Sequence, residues 1–167
     1  DGQRLLFDLV ANATKPIIAV INGYALGGGL ELAMAAHMRV ASTTAKMGLP
    51  ETSLGLIPGY GGTQRLAQLI GKGRALELIC TAGMIDAQRA YEIGLVNHIF
   101  PPEELMQGAQ KLADSIKKTA PTALAQAIGA VNAGLDSSKG LNAEIEAFGA
   151  CFTTEDFKEG TQAFLEK

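Results

Sequence analysis

Two glutamates twenty positions apart, Glu31 and Glu51, carry the residue types for acid–base chemistry in this chain. Glu31 follows an apolar run, Ile17-Ile18-Ala19-Val20-Ile21, a turn at Asn22-Gly23 and the triplet Gly27-Gly28-Gly29. Glu51 ends the segment Gly48-Leu49-Pro50-Glu51, ahead of Gly55-Leu56-Ile57-Pro58-Gly59 and Gly61-Gly62-Thr63-Gln64-Arg65. One turn into a helix, the first carboxylate lies beside N–H groups that favour negative charge and face a glycine-walled space. A second carboxylate nearby can divide acid and base duties with the first. As a solvated helix residue Glu31 would need a wet face, which Leu30, Leu32, Ala33 and Met34 deny it. Glu51, after Pro50, has the plainer alternative of a surface acid or a helix cap.

Other chemistries find less support. A phosphate-cradling loop needs Gly-Lys-Ser/Thr, whereas Gly28 is followed by Gly29-Leu30; Gly59-x-Gly61 reaches Gln64 where a dinucleotide fingerprint needs glycine. His37 and His98 have no partner at metal-ligand spacing, and neither cysteine has a histidine near it in sequence. Ser53 shows no sign of an activating base. Tyr24 and Tyr60 flank the glycine turns as packing or pocket-lining residues, and Lys46, Lys72 and Arg74 read as solvated.

The elements that must position the glutamates follow from periodicity and breakers. A first helix is predicted over 3–13, stopped at Pro16. The run 17–21 is apolar on both faces, as in a buried strand. The glycine triplet feeds a helix over 29–37, and short strands are predicted at 38–41 and 45–49 around Ser42-Thr43-Thr44. Helices follow at 62–70, 73–82 and 86–93, with Asp86 as N-cap and Gly94 as stop. A last strand spans 95–100, and four helices, 102–119, 121–134, 139–151 and 154–166, complete the chain. Thr153 with Asp156 resembles a capping box. The sequence therefore divides into a strand-and-loop core, 1–101, and a helical region, 102–167.

With 167 residues and 47% hydrophobic content, the chain can bury one substantial core. A net charge of −3 and a pI near 5.4 disfavour nucleic-acid and anionic-membrane roles. No apolar run approaches the roughly 20 residues of a membrane span. Cys80 and Cys151 read as buried, reduced thiols, which suits a reducing compartment. No export signal is visible, and the first residues read as a helix already under way, the C-terminal portion of a longer polypeptide.

The stretch from Ile18 to Met38 closely resembles the signature of the enoyl-CoA hydratase/isomerase (crotonase) superfamily. Gly48-Leu49-Pro50-Glu51, Gly59-x-Gly61-Gly62-Thr63-Gln64-Arg65-Leu66 and Gly94-Leu95-Val96 are similar to further segments of that family, in its order. The resemblance implies an α/β fold, a spiral of ββα units followed by helices, with an N-terminal part of the family domain absent. It implies that the Gly28 N–H is one of two donors to a thioester enolate. The other donor and the adenine-binding segment would belong to the absent part. Glu51 would deliver the α-carbon proton, Glu31 would orient or deprotonate the attacking water, and the Gly59 N–H would help hold that water. Gly27, Pro50 and Tyr24 would line the substrate site. No cofactor or metal is implied, coenzyme A being part of the acyl-CoA substrate.

Both acidic positions are glutamates in the hydratases, whereas an isomerase manages with one at the position of Glu51. The expected activity is thus enoyl-CoA hydration, with isomerase or other acyl-CoA chemistry as alternatives. A non-catalytic or RNA-binding homologue is a further alternative, which the acidic pI and the glutamate pair oppose. The helical region would pack subunits into trimers or dimers of trimers and cap the acyl pocket. The expected location is the cytoplasm of a bacterium, with the mitochondrial matrix as the second choice.

Overall fold

The computed structural model describes residues 3–135, Ile145, Gly149 and 152–166. A π-helical turn, Gln3–Phe7, runs into α1 (Asp8–Ala11), in place of one regular helix over 3–13. β1 (Ile18–Ile21) and β2 (Tyr24–Leu26) lead into α2 (Gly28–Ala35); β3 (Met38–Ser42) and β4 (Lys46–Gly48) lead into a 3-10 turn, Pro50–Leu54. Then come α3 (Gly62–Ile70), α4 (Lys72–Thr81), β5 (Met84–Asp86), α5 (Ala87–Glu92) and β6 (His98–Phe100). A 3-10 turn, Pro102–Glu104, opens α6 (Leu105–Ile116), and α7 (Pro121–Leu135) and α8 (Glu155–Leu165) follow.

The strands form two three-stranded sheets, β1-β3-β6 and β2-β4-β5, and the first four alternate between them. β1, β3 and β6 run parallel, as do β2 and β4, while β5 is antiparallel to β4. Ile18 pairs with Met38 in one sheet and Tyr24 with Lys46 in the other, so β3 and β4 repeat β1 and β2 about twenty residues later. This pitch explains the glutamate spacing. It brings the residues that follow β4 alongside those that follow β2.

The main core fills the space between the sheets and α2–α5, with Leu30, Met34, Met47, Leu49, Leu66 and Leu95 buried together. A smaller cluster of Val40, Leu105 and Ala109 seats α6 on the first sheet. Arg39 is buried at the end of α2, where its guanidinium donates to the carbonyls of Leu95 (2.8 Å), Ala36 (2.7 Å) and Ala33 (3.4 Å). Those last carbonyls of α2 have no helical donor, so a cation there answers both their hydrogen bonding and the negative end of the helix dipole. Burial pushes the Arg39 guanidinium down to about 10.

Several expectations need correction. The run 17–21 reads as buried on both faces, yet β1 is an edge strand and mostly half-buried; among the described residues it pairs with β3 alone. A groove of about 440 Å³ runs along it, walled by Leu6, Val10, Tyr24 and Leu32. The three-residue strands β2 and β5 go unpredicted, being too short to show a period of two. The strand expected over 95–100 shrinks to His98–Phe100, because Leu95 and Val96 are buried in a turn bonded back to Ala90. Thr154, and not Thr153, caps α8, accepting from the Phe157 N–H at 3.2 Å. Cys80 is exposed on α4, since the buried positions of that helix are Ala75 and Leu78. Of the helix expected over 139–151 only Ile145 and Gly149 are described, both helical; the rest of it, with Phe148 and Cys151, lies outside the described residues.

Candidate active site

The site forms where β2 and β4, side by side, hand the chain on to α2 and to the Pro50–Leu54 turn. Leu26 pairs with Gly48, and the Gly27 N–H continues that ladder to the Gly48 carbonyl at 3.0 Å. The residues that follow each strand, Gly27-Gly28 and Pro50-Glu51, are thereby held together. Gly27 has φ +53°, which favours glycine, and a Cβ there would stand 2.9 Å from Glu51 Oε1 and oblige that carboxylate to shift. The half-buried Glu51 carboxylate thus lies directly on the N-terminus of α2.

Gly28 is the first residue of α2, and its N–H has no hydrogen-bond partner among the described residues. A Cβ at Gly28 would meet only Tyr60 Cδ2, at an ordinary 3.8 Å, and one at Gly29 would meet nothing within 4 Å. Packing within the chain therefore does not require glycine at either position. The space beside these N–H groups is open.

Glu31 lies one turn further along α2, 1% exposed. Its Oε1 accepts from the N–H of Tyr60 at 2.8 Å and of Gly62 at 2.9 Å. Gly62 begins α3 after Gly61, which has φ +93°. Glu31 is thus in the first turn of one helix and caps the start of the next. Both helix ends favour negative charge at this point, and both N–H bonds are charge-assisted. A Cβ at Gly62 would stand 2.7 Å from Glu31 Oε1, so glycine is needed there for the grip itself. The carboxylate is clasped, not loose.

Around this pair, Gly59 is buried with no hydrogen-bond partner for its N–H among the described residues. The Tyr60 ring stacks on buried Phe7, centroids 4.9 Å apart and 7° from parallel. The Arg65 guanidinium folds back over Gly61, donates to the Tyr60 carbonyl at 2.7 Å and reaches Asp8 at 3.5 Å. Pro50 occupies the first position of the 3-10 turn, where its fixed φ suits and its missing N–H costs nothing. Thr52 fastens that turn to α4, its Oγ1 donating to the Ile79 carbonyl at 2.6 Å.

The structure therefore brings Glu31, Glu51, Gly27, Gly28 and Pro50 to one helix end, with Gly59 beside the turn that holds Glu31. Tyr24 is 77% exposed and lines the groove along β1, whose walls include neither glutamate. Sequence reasoning misses the backbone donors of Tyr60 and Gly62; the doublet Gly61-Gly62 is their only trace, and it reads equally well as a plain turn. Ser53 donates to the Pro50 carbonyl at 2.7 Å, a local turn bond. Among the described residues no group of three His, Cys, Asp or Glu could hold a metal ion.

Two carboxylates, one clasped by N–H donors and one lying on a helix end with an open N–H beside it, can move protons on either side of a carbonyl compound whose oxygen is held by that N–H.

Comparison with known proteins bears on which compound. A crotonyl-CoA hydratase of Syntrophomonas wolfei is 47% identical over 99% of this chain and 64% of its own length. A short-chain-enoyl-CoA hydratase of Clostridium acetobutylicum is 50% identical over 92% of this chain and 59% of its own. The chain thus spans about three fifths of the length of these relatives. The crystal structure of an enoyl-CoA hydratase from Mycobacterium avium subsp. paratuberculosis superposes with a TM-score of 0.93 at 28% identity, over 98% of this chain and 68% of that one. The family model described as enoyl-CoA hydratase/isomerase matches residues 2–167. Because that match starts at residue 2, it does not bear out an absent N-terminal part of the family domain. With its α/β coil of ββα units, its glutamate pair and this match over nearly its whole length, the chain belongs to the enoyl-CoA hydratase/isomerase family.

Proposed function

We propose that the protein is an enoyl-CoA hydratase, adding water reversibly and on one face to a 2-enoyl-CoA thioester to give the 3-hydroxyacyl-CoA. The observation that carries this reading is the meeting of Glu31 and Glu51 at the N-terminus of α2, beside the open Gly28 N–H. That N–H donates to the thioester oxygen and stabilises the charge that develops there, an effect worth about 10²- to 10³-fold per donor. Glu31, held by the Tyr60 and Gly62 N–H groups, orients the water and takes its proton as the water attacks the β-carbon. Gly59 donates its N–H to the same water. Glu51 delivers a proton to the α-carbon, completing addition. Gly27 and Pro50 wall the reacting atoms, and Tyr24 contributes at the rim of the groove. The scheme uses no metal or separate cofactor, since coenzyme A arrives with the substrate.

Incubation with crotonyl-CoA tests this directly. Hydration removes the absorbance of the conjugated thioester; an unchanged spectrum with the full protein would refute the reading. Movement of the double bond without uptake of water would instead select the isomerase, which needs Glu51 but not Glu31. A homo-oligomer, trimeric or a dimer of trimers, accords with the apolar side chains that Phe152, Phe164 and Leu165 expose on and beside α8. A cytoplasmic location accords with the bacterial relatives. Among the described residues no helix is long and apolar enough to cross a membrane.

A further inference from the structure

We propose that α8 is a positioning element for Glu51, acting through Gly160, with Thr52 as its counterpart on the other side of the Pro50–Leu54 turn. The proposal rests on the reading of Glu51 as the group that moves the α-proton.

The turn that carries Glu51 is short and only loosely closed by its own backbone. Gly55 bonds back to the Thr52 carbonyl at 3.2 Å and Leu56 to the Glu51 carbonyl at 3.1 Å. Five residues in 3-10 geometry hold themselves poorly, so outside contacts must fix where the carboxylate sits. Thr52 and Leu54 each supply one. Thr52 Oγ1 donates to the Ile79 carbonyl of α4 at 2.6 Å. On α8, a Cβ at Gly160 would stand 2.9 Å from the Leu54 carbonyl carbon and 3.0 Å from its Cα and O. All three are backbone atoms, which cannot swing aside as a side chain can. α8 and the turn therefore meet backbone to backbone, and only glycine permits that distance. Along the rest of α8, Phe164 and Leu165 are exposed, Phe157 and Thr161 are half-buried, and Thr154 fixes the start locally.

A methyl group at position 160 must push α8 and the turn apart. Leu54 is three residues from Glu51, whose Oε1 already lies against Gly27, so the displacement reaches the carboxylate with little slack to absorb it. A shift of about 1 Å in a reacting group can cost about 10²-fold in rate.

The test is a double-mutant cycle in the full chain with crotonyl-CoA. Gly160→Ala and Thr52→Val each lower kcat by about tenfold or more, with KM changing less than about threefold, while Thr52→Ser stays near wild type. In a Glu51→Gln background, neither Gly160→Ala nor Thr52→Val causes a further loss, because the group they position is already disabled. Unchanged kcat in both variants, or the same fold-loss with and without Glu51, would overturn the proposal and leave α8 a structural cap. Thermal melts are run in parallel. If Gly160→Ala does not melt cooperatively, Thr52→Val and Thr52→Ser decide for or against the clamp by the same criteria. If the wild-type protein did not hydrate crotonyl-CoA, the hydratase reading would fall on its own. The clamp is then read from exchange of the α-protons of butyryl-CoA in D2O, where equal rates in wild type, Gly160→Ala and Thr52→Val would overturn it.

Discussion

At the scale of single residues, the two glutamates are asymmetric in a way that their shared chemistry conceals. Glu31 is held by two backbone N–H groups and Glu51 by its place against Gly27. Replacement of either by Gln keeps size and one acceptor oxygen but removes the base. Each change is expected to lower turnover by at least about 10²-fold, and the double change to cost far less than the product, as for groups acting in one step. Steady-state kinetics on crotonyl-CoA checks this, and near-normal hydration by Glu31→Gln would end the hydratase reading. Glu31→Ala should differ from Glu31→Gln by also lowering stability, by about 1 kcal/mol or more, because α3 loses its cap. Paired denaturation curves measure the difference. The glutamates are legible in the sequence because their side chains advertise their chemistry. The donors of Tyr60 and Gly62 are not, since a backbone N–H leaves no mark in the residue name. Gly62 shows the converse case, a glycine visible in the sequence whose necessity only the packing around it explains, since a Cβ there would stand 2.7 Å from Glu31 Oε1 and from Pro58 Cβ.

At the scale of elements, α2 is pinned at both ends, and the far end is sensitive to pH. His37 Nδ1 accepts from the Ile17 N–H at 2.9 Å, tying the end of α2 to the start of β1. Its Nε2 is buried near the Ala11 carbonyl, which itself accepts from Asn132 at 2.8 Å. Burial holds His37 below its ordinary value of 6.5, the Ala11 carbonyl opposes this, and the Arg39 guanidinium adds to the lowering. A lowered value in the fold means that the unfolded chain binds more protons just below 6.5. The stability due to neutral His37 is therefore complete above pH 6.5 and is lost progressively as pH falls below it. Urea denaturation from about pH 8 down to about 5 should show this slope in wild type and a shallower one in His37→Gln; equal slopes would refute it. Arg39→Lys should destabilise by more than about 1 kcal/mol, since an ammonium cannot fork to carbonyls of α2 and to Leu95 together. Helices with clear periods and caps, such as 62–70 and the one after Asp86, are legible element by element. β2 and β5 are not, because three residues carry no pattern and the partner strand alone makes them strands.

At the scale of the whole molecule, the pitch of the coil is the organising quantity. Pairing of residues about twenty apart in both sheets lays β3 and β4 on β1 and β2, and so carries Glu51 to the place where α2 begins. Family resemblance makes that architecture legible; periodicity alone reaches only α/β. The edge position of β1 is not legible, because an apolar strand at the rim of a sheet has the same composition as one in its middle. The exposed apolar residues on and near α8 lead to a further expectation. If they seat neighbouring subunits, Phe164→Asp should shift the sedimentation of the protein towards smaller species while its circular dichroism is retained. An unchanged sedimentation coefficient would place the subunit contacts elsewhere.

The clasp around Glu31 also changes how descent can act on this chain. A lineage that gave up its chemistry would lose its use for Glu51, which stands in the short Pro50–Leu54 turn. It would not be equally free to exchange Glu31, because α3 would lose the oxygen on which the Tyr60 and Gly62 N–H groups close. Exchange of the first glutamate therefore costs folding as well as chemistry, and a descendant that gave it up would need another acceptor for those two N–H groups.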